Sequence, residues 1–168
     1  MTTPLIIFSH GQDGSPKGAK IGAMAEVARR RGFQYESLDY QGMAPADRVA
    51  KLLAFGRTVA AAPVLVGSSL GGHVATAASI ALRARGLFLL APAFYMPGFE
   101  EHTPKPAACP VSILHGWRDD IVPVDNSIRY AREYRARLHI IDSDHRMLEQ
   151  MDLIVAYFDL FLSGLVNT

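Results

Sequence analysis

Short apolar runs alternate with longer helix-like stretches from one end of the chain to the other. Four of the six short runs are continuously apolar, which is typical of parallel strands that are covered on both faces. The second run mixes Tyr35 and Leu38 with polar residues, so we expect it at an edge of the sheet. The predicted strands span residues 5–9, 34–38, 63–67, 86–90, 111–115 and 138–142.

Helix-like stretches lie between these strands and after the last one. Arginines precede Gly32 and Gly86, which is typical of a helix carboxyl end followed by a left-handed glycine cap. The alternation predicts an α/β fold of three layers (αβα), in which helices cover both faces of a six-stranded parallel sheet. The predicted helices span residues 19–31, 45–62, 70–83, 125–135 and 146–162.

The chain length of 168 residues fits one domain over residues 1–168, and no internal repeat or linker interrupts it. One long irregular stretch, residues 91–110, is rich in proline. A connection of this length in a compact domain is more often functional than idle. We expect it to cross the top of the sheet as a small lid or pocket wall.

Composition excludes several classes of function. The chain is 49% hydrophobic and 20% charged with a formal net charge of +1, so it has no field that would recruit nucleic acid or an anionic membrane. The single cysteine, Cys109, excludes an internal disulfide and a Cys-rich zinc site. The first residues lack a basic signal-like region, and no apolar run approaches the roughly 20 residues that span a bilayer. We expect a cytoplasmic protein.

The run Gly67-Ser68-Ser69-Leu70-Gly71 joins an apolar strand to a helix-forming stretch. It has the Gly-x-Ser-x-Gly form of a nucleophile elbow, a strand-to-helix turn too tight for side chains at its flanking positions. Ser69 is therefore the candidate nucleophile. Ser68 occupies the x position, where packing or a local hydrogen bond is expected.

A serine hydroxyl needs a histidine to take its proton, and that histidine needs a carboxylate to orient it. Asp119 follows the fifth predicted strand and His145 follows the sixth. Because the carboxyl ends of parallel strands meet at one edge of the sheet, both side chains are expected near Ser69. The chain order Ser, Asp, His is that of α/β-hydrolases. Asp144, which adjoins His145, is expected to be a loop-turn residue.

An oxyanion formed during attack by Ser69 requires N–H donors, each worth on the order of 3 kcal/mol. The backbone N–H of Leu70, directly after the nucleophile, is one candidate. The N–H of Gln12, in the loop after the first strand, is the other, and Gly11 would let the backbone turn inward there. His10 is expected to be a structural hydrogen-bonding residue.

Apolar side chains in the long connection are the candidate walls of an acyl pocket, although they could simply cover the end of the sheet. No spaced histidine set of the HExxH kind occurs, so neither a catalytic metal nor a cofactor is expected. The candidate wall residues are Phe94, Tyr95, Met96 and Phe99.

These motifs give the chain a resemblance to small α/β-hydrolases, and most closely to the compact bacterial esterases of the YqiA-like group. The resemblance implies sheet order 2-1-3-4-5-6, a minimal fold without a cap domain, and esterase or thioesterase activity on an acyl substrate. The related pattern His-Gly-x-x-Asp-x-x-Val-Pro favours Asp119 over Asp120 as the acid. The segments that carry the resemblance are His10-Gly11, Gly14-Ser15-Pro16, Lys20, residues 65–72 with Ala75-Thr76, and the loops at Asp119 and His145.

The favoured hypothesis is a serine hydrolase that cleaves a small carboxylic ester or thioester through an acyl-enzyme on Ser69. Perhydrolysis, a lyase reaction or peptide cleavage could use the same three residues. A non-catalytic binding module on a hydrolase scaffold is the alternative of another class. The last helix is expected to pack on the sheet, with a homodimer seam as the other interpretation of its broad apolar face.

Overall fold

A computed structural model describes residues 4–98 and 103–166 of the chain. Its six strands form one parallel sheet in the order β2-β1-β3-β4-β5-β6, which confirms the expected order and the edge position of β2. Each predicted strand end lies within one residue of the observed one. The strands are β1 (Ile6–Ser9), β2 (Tyr35–Leu38), β3 (Val64–Ser68), β4 (Gly86–Leu90), β5 (Val111–Gly116) and β6 (Arg137–Ile141).

Helices cover both faces of this sheet, as predicted. Two of them, α1 and α5, pack together on one face, and the other three pack on the opposite face. Among the described residues no helix is long and apolar enough to cross a membrane. The helices are α1 (Ala19–Arg30), α2 (Pro45–Gly56), α3 (Leu70–Ser79), α4 (Val124–Tyr134) and α5 (Met151–Val166).

The core consists of two apolar layers, one on each face of the sheet. Successive strand residues point to opposite faces, so Ile6 and Phe8 enter the layer beneath α1 and α5 while Ile7 enters the other. Phe158 of α5 packs against the rings of Phe8 and Phe88, with ring centroids 6.2 Å and 5.0 Å away. The inner strands β1, β3, β4 and β5 are mostly apolar because both of their faces are buried, whereas the edge strands β2 and β6 are partly exposed.

Two predicted helices end early. Instead of reaching residue 62, α2 stops at Gly56, where any Cβ would lie 2.5 Å from a Leu82 methyl group. Instead of reaching residue 83, α3 stops at Ser79, and the Ser79 carbonyl accepts the N–H of Ala84 after a turn in which Arg83 is left-handed (φ 52°).

The two predicted glycine caps have different outcomes. Gly32 is left-handed (φ 78°) at the end of α1, as expected. The expected cap at Gly86 is wrong, because Arg83 takes the left-handed conformation and Gly86 is the first residue of β4. A Cβ at Gly86 would lie 2.8 Å from Phe161 Cζ, so the glycine allows α5 to approach the sheet.

The last helix begins later than predicted. Met147 is left-handed (φ 54°), and a short 3-10 turn (Leu148–Gln150) precedes α5. The Asp144 side chain accepts the N–H groups of Arg146 and Met147 at 3.0 and 2.9 Å, which confirms its expected role in the loop turn.

Candidate active site

The turn from β3 into α3 holds Ser69 in a conformation that few non-glycine residues adopt, with φ 53° and ψ −118°. The turn closes tightly because its neighbours have no side chain. A Cβ at Gly67 would collide with the backbone of Gly71, and a Cβ at Gly71 would collide with the carbonyl of Ser9. Strain of this kind persists only where surrounding structure enforces it.

The three candidate catalytic side chains form one line of hydrogen bonds. Ser69 Oγ lies 3.1 Å from His145 Nε2, and His145 Nδ1 lies 2.7 Å from Asp119 Oδ2. Because a carboxylate only accepts, Nδ1 carries the hydrogen, which leaves Nε2 to accept the Ser69 hydroxyl proton. The residues follow β3, β5 and β6, so the sheet brings them together from distant parts of the chain.

Asp119 carries its charge in a fully buried side chain. Oδ1 accepts the N–H groups of Ile121 and Val122 at 2.9 and 2.8 Å. Burial alone would raise the pKa of the Asp119 carboxyl, but hydrogen bonds from His115, His145 and these two N–H groups hold it well below its usual range. The carboxylate is therefore ionised at neutral pH.

His115 is a site residue that the sequence analysis missed. It is fully buried, and its Nε2 lies 3.0 Å from Asp119 Oδ2 and 2.9 Å from the Val122 carbonyl oxygen. Because that carbonyl only accepts, Nε2 carries the hydrogen and Nδ1 accepts the Ser127 hydroxyl at 2.7 Å. The only signal in the sequence is its place four residues before Asp119.

The two candidate oxyanion donors lie beside the nucleophile. Leu70 is the first residue of α3, so its N–H has no partner within the helix. Within residues 4–98 and 103–166 neither this N–H nor that of Gln12 has an acceptor. A Cβ at Gly11 would lie 3.6 Å from Ser69 Cβ, so the backbone at Gly11 lies against the elbow.

A cavity of about 600 Å³ opens at Ser69 and His145. It extends along the face of the sheet that α1 covers, where Lys20 Nζ donates to Ser68 Oγ at 3.2 Å. Burial and the neighbouring Arg146 lower the pKa of Lys20 to about 8, against the opposing effect of Asp144 and Asp119. The larger apolar residues of the wall are Phe8, Ile21, Met24, Val66, Ile121 and Leu148.

The aromatic residues expected to form an acyl pocket lie elsewhere. Phe94 is fully buried and stacks on Tyr130 with ring centroids 4.0 Å apart. Tyr95 and Met96 lie near α4, and neither they nor Phe94 line the cavity at Ser69. Phe99 lies outside the described residues.

The site holds no cluster of metal-ligand type. In the described part of the chain no three His, Cys, Asp or Glu side chains are grouped to hold a metal ion. Cys109 lies away from the cavity, and burial raises the pKa of its thiol to about 11.

A protein-family model, described as Uncharacterised protein family (UPF0227), matches residues 5–105. The chain belongs to this family. A structure from Xanthomonas campestris pv. campestris that is assigned to the α/β superfamily of hydrolases superimposes on this chain with a TM-score of 0.89 at 30% identity, covering 96% of this chain and 99% of that one. The UPF0227 chain is thus an α/β-hydrolase, as the sequence resemblance implied.

Two further comparisons extend this relationship. Palmitoyl-protein thioesterase ABHD10, mitochondrial, from Bos taurus is 28% identical over 90% of this UPF0227 chain and 70% of its own length. The structure of α/β-hydrolase domain-containing protein 10 from mouse shares the fold with a TM-score of 0.82 at 24% identity, over 98% of this chain and 91% of that one.

Proposed function

We propose that the chain is a serine hydrolase that cleaves small carboxylic esters or thioesters through an acyl-enzyme on Ser69. The observation that carries the proposal is the unbroken hydrogen-bond line from Ser69 Oγ through His145 to Asp119. Membership of the α/β-hydrolase superfamily supports the reaction type. The proposal requires no cofactor.

Acylation would proceed as the Ser69 oxygen attacks the substrate carbonyl carbon while its proton moves to His145 Nε2. The carbonyl oxygen becomes an oxyanion that the N–H groups of Gln12 and Leu70 bind. The intermediate collapses as His145 returns the proton to the leaving alcohol or thiol. Asp119 remains ionised and stabilises the imidazolium.

Deacylation would repeat these steps with water as the nucleophile. His145 takes a proton from the water while its oxygen attacks the acyl carbon, and the second oxyanion collapses with release of Ser69 Oγ. The proton passes to Ser69, so the products are a carboxylic acid and the free enzyme. Ser69, His145 and Asp119 all return to their starting states.

The cavity supports a small acyl substrate. Its volume of about 600 Å³ falls within the roughly 300–1,000 Å³ of sites that bind small molecules. Ile121 and Leu148, which are 58% and 43% exposed, give part of its wall an apolar surface suited to an acyl chain. The name of the cattle relative, a palmitoyl-protein thioesterase, supports thioesters as one substrate class.

The test compares the adjacent serines. We expect a fluorophosphonate probe to label the wild-type chain and the Ser68→Ala variant but not Ser69→Ala. The same proteins are assayed on oxygen esters and on acyl thioesters, each from acetyl to palmitoyl, to identify the substrate class. Labelling of Ser69→Ala would defeat the assignment, and a wild-type chain inert to the probe and to every substrate would favour a binding module.

A further inference from the structure

Arg48 is a buried cation that the proposed reaction does not yet use. It lies in the first turn of α2 and is only 2% exposed, which makes it the largest fully buried side chain described. No carboxylate lies within ion-pair distance of it in the described ranges. A buried cation is costly to retain unless other groups compensate it.

Backbone carbonyls surround the guanidinium in place of an acid. Nη1 donates to the carbonyls of His10 and Gly11 at 3.3 and 3.2 Å, and Nη2 donates to that of Gln12 at 3.3 Å. Nε donates to the Met43 carbonyl at 3.0 Å. Three of the four acceptors therefore belong to the loop after β1 that lies beside Ser69.

The Gly11 carbonyl is the most firmly held of the three. Besides Arg48, it accepts His10 Nδ1–H at 2.7 Å and the N–H of Gly14 at 3.2 Å. The carbonyl and the N–H of a trans peptide point in opposite directions, and the described chain contains no cis peptide. With its oxygen directed at Arg48, the Gly11–Gln12 peptide directs the Gln12 N–H away from Arg48.

The charge of Arg48 matters as well as its geometry. A cation behind the Gly11–Gln12 peptide polarises its carbonyl and strengthens the N–H on the other side as a donor. Besides these carbonyls, the Tyr40 ring, whose centroid lies 5.7 Å from Arg48 Cζ, and the charge of Asp13 offset the cation in the resting protein. An oxyanion that forms beside Gln12 adds a further negative charge. An interaction that strengthens in the transition state lowers the barrier, whereas one that is equally strong throughout does not.

We propose that Arg48 is the positioning residue of the oxyanion site, fixing the Gly11–Gln12 peptide so that the Gln12 N–H faces the developing negative charge. This inference rests on the proposed serine hydrolase function. It assigns Arg48 no contact with substrate. Its effect is expected on kcat and not on substrate binding.

The experiment compares Arg48→Met, which keeps the stem and removes the guanidinium, with Arg48→Lys, which keeps a charge but cannot reach several carbonyls together. Arg57→Met, at the exposed carboxyl end of the same helix, is the matched control. Each protein is assayed on a wild-type ester or thioester substrate, with active sites counted by complete fluorophosphonate titration and folding checked by circular dichroism.

We expect kcat per titrated site to fall by about 10–100-fold in Arg48→Met and by less in Arg48→Lys, with KM within about twofold of wild type. Removal of one oxyanion donor costs about 100–1,000-fold, and Arg48 acts one step further away. The affinity of a trifluoromethyl ketone, which forms a tetrahedral oxyanion adduct with serine, should fall by the same factor as kcat. If Arg48 only stabilised the fold, kcat and inhibitor affinity would not fall by the same factor.

Wild-type kcat and inhibitor affinity in any folded Arg48 variant, or a change confined to KM, would overturn the inference. If Arg48→Met does not fold, Arg48→Lys decides alone. A wild-type chain that neither turns over substrate nor reacts with fluorophosphonate would overturn the proposed function and this inference together. An active wild-type chain with equally active Arg48 variants would overturn only the latter.

Discussion

At the scale of single residues, Asp119 shows how a buried charge is retained. Four donors satisfy its carboxylate, namely the rings of His115 and His145 and the backbone N–H groups of Ile121 and Val122. Hydrogen bonds to an ionised group are worth more than those between neutral groups. The same contacts fix the orientation of His145 toward Ser69.

The lowered pKa of Asp119 predicts an acid-dependent loss of stability. A carboxylate whose pKa is lower in the folded than in the unfolded chain stabilises the fold above its unfolded pKa of about 3.9, and this contribution is lost as pH falls further. Urea unfolding should therefore show that the unfolding free energy falls less between pH 6 and pH 3 in Asp119→Asn than in wild type. The exposed neighbour Asp120 provides the control, because the unfolding free energy of Asp120→Asn should fall by as much as that of wild type.

Replacement of His115 should weaken both the fold and the reaction. His115→Phe leaves the Ser127 hydroxyl and the Val122 carbonyl buried without partners, at a cost of about 1–3 kcal/mol each in unfolding free energy. Asp119 also loses one of its donors, so kcat should fall. The control is His139→Phe, because the His139 ring stacks on Tyr157 and a phenyl ring can do the same. This variant should change the unfolding free energy by no more than about 0.5 kcal/mol. Equal stability of the two variants would contradict the role of the His115 hydrogen bonds.

At the residue level, the sequence predicts positions best where a motif lies directly after a strand. Positions after strands indicated that Ser69, Asp119 and His145 meet at one edge of the sheet, the family resemblance favoured Asp119 over Asp120, and the structure brings the three within hydrogen-bond distance. Arg48 carried no such signal, and His115 was marked only as the histidine that opens the His-Gly-x-x-Asp pattern. Their importance arises from burial by elements that are distant in the chain, and a local pattern of residues does not encode that burial.

At the scale of elements, the elbow between β3 and α3 depends on close backbone approach. Gly71→Ala would place a methyl group on the Ser9 carbonyl, which must move together with the loop that carries Gln12. We expect unfolding free energy to fall by about 1–3 kcal/mol and hydrolysis to be lost. Gly22→Ala is the matched control in α1, where nothing lies within 4 Å, and it should raise stability by about 0.5–1 kcal/mol. Activity retained in Gly71→Ala would contradict this account.

Strands were easier to predict than helix ends. An apolar run that is buried on both faces must end where the chain leaves the sheet, so its boundaries are visible in the sequence. The ends of α2 and α3 depend instead on tertiary contacts, such as that of Gly56 in α2 with Leu82 in the turn after α3. The left-handed residues that stop or precede a helix, Arg83 and Met147, are not of the types that usually mark such positions.

At the scale of the whole molecule, the position of the cavity follows from the division of the core into two layers. The cavity lies beneath α1, on the side of the sheet that Phe8, Met24 and Val66 face. Phe94 belongs to the opposite layer. The sequence could indicate which side chains are apolar, but the gap between helix and sheet depends on how complete helices pack.

The layer beneath α1 and α5 should also govern overall stability. Phe158 is fully buried between Phe8 and Phe88, so Phe158→Ala should lower unfolding free energy by about 3–5 kcal/mol. Leu160, which is 57% exposed on the same helix, provides the control, and Leu160→Ala should change stability by about 0.5 kcal/mol or less. Denaturant melts of the two variants give the comparison, and similar midpoints would contradict the assignment of α5 to the core.

The order of the site residues along the chain has a consequence during translation. A ribosome completes the strand and turn that carry Ser69 well before it reaches Asp119, and His145 emerges last, after the other strands of the sheet. Under the proposed mechanism, a nascent or truncated polypeptide that ends before His145 lacks the histidine that takes the proton of Ser69. The same mechanism predicts that truncated products of synthesis do not hydrolyse esters or thioesters.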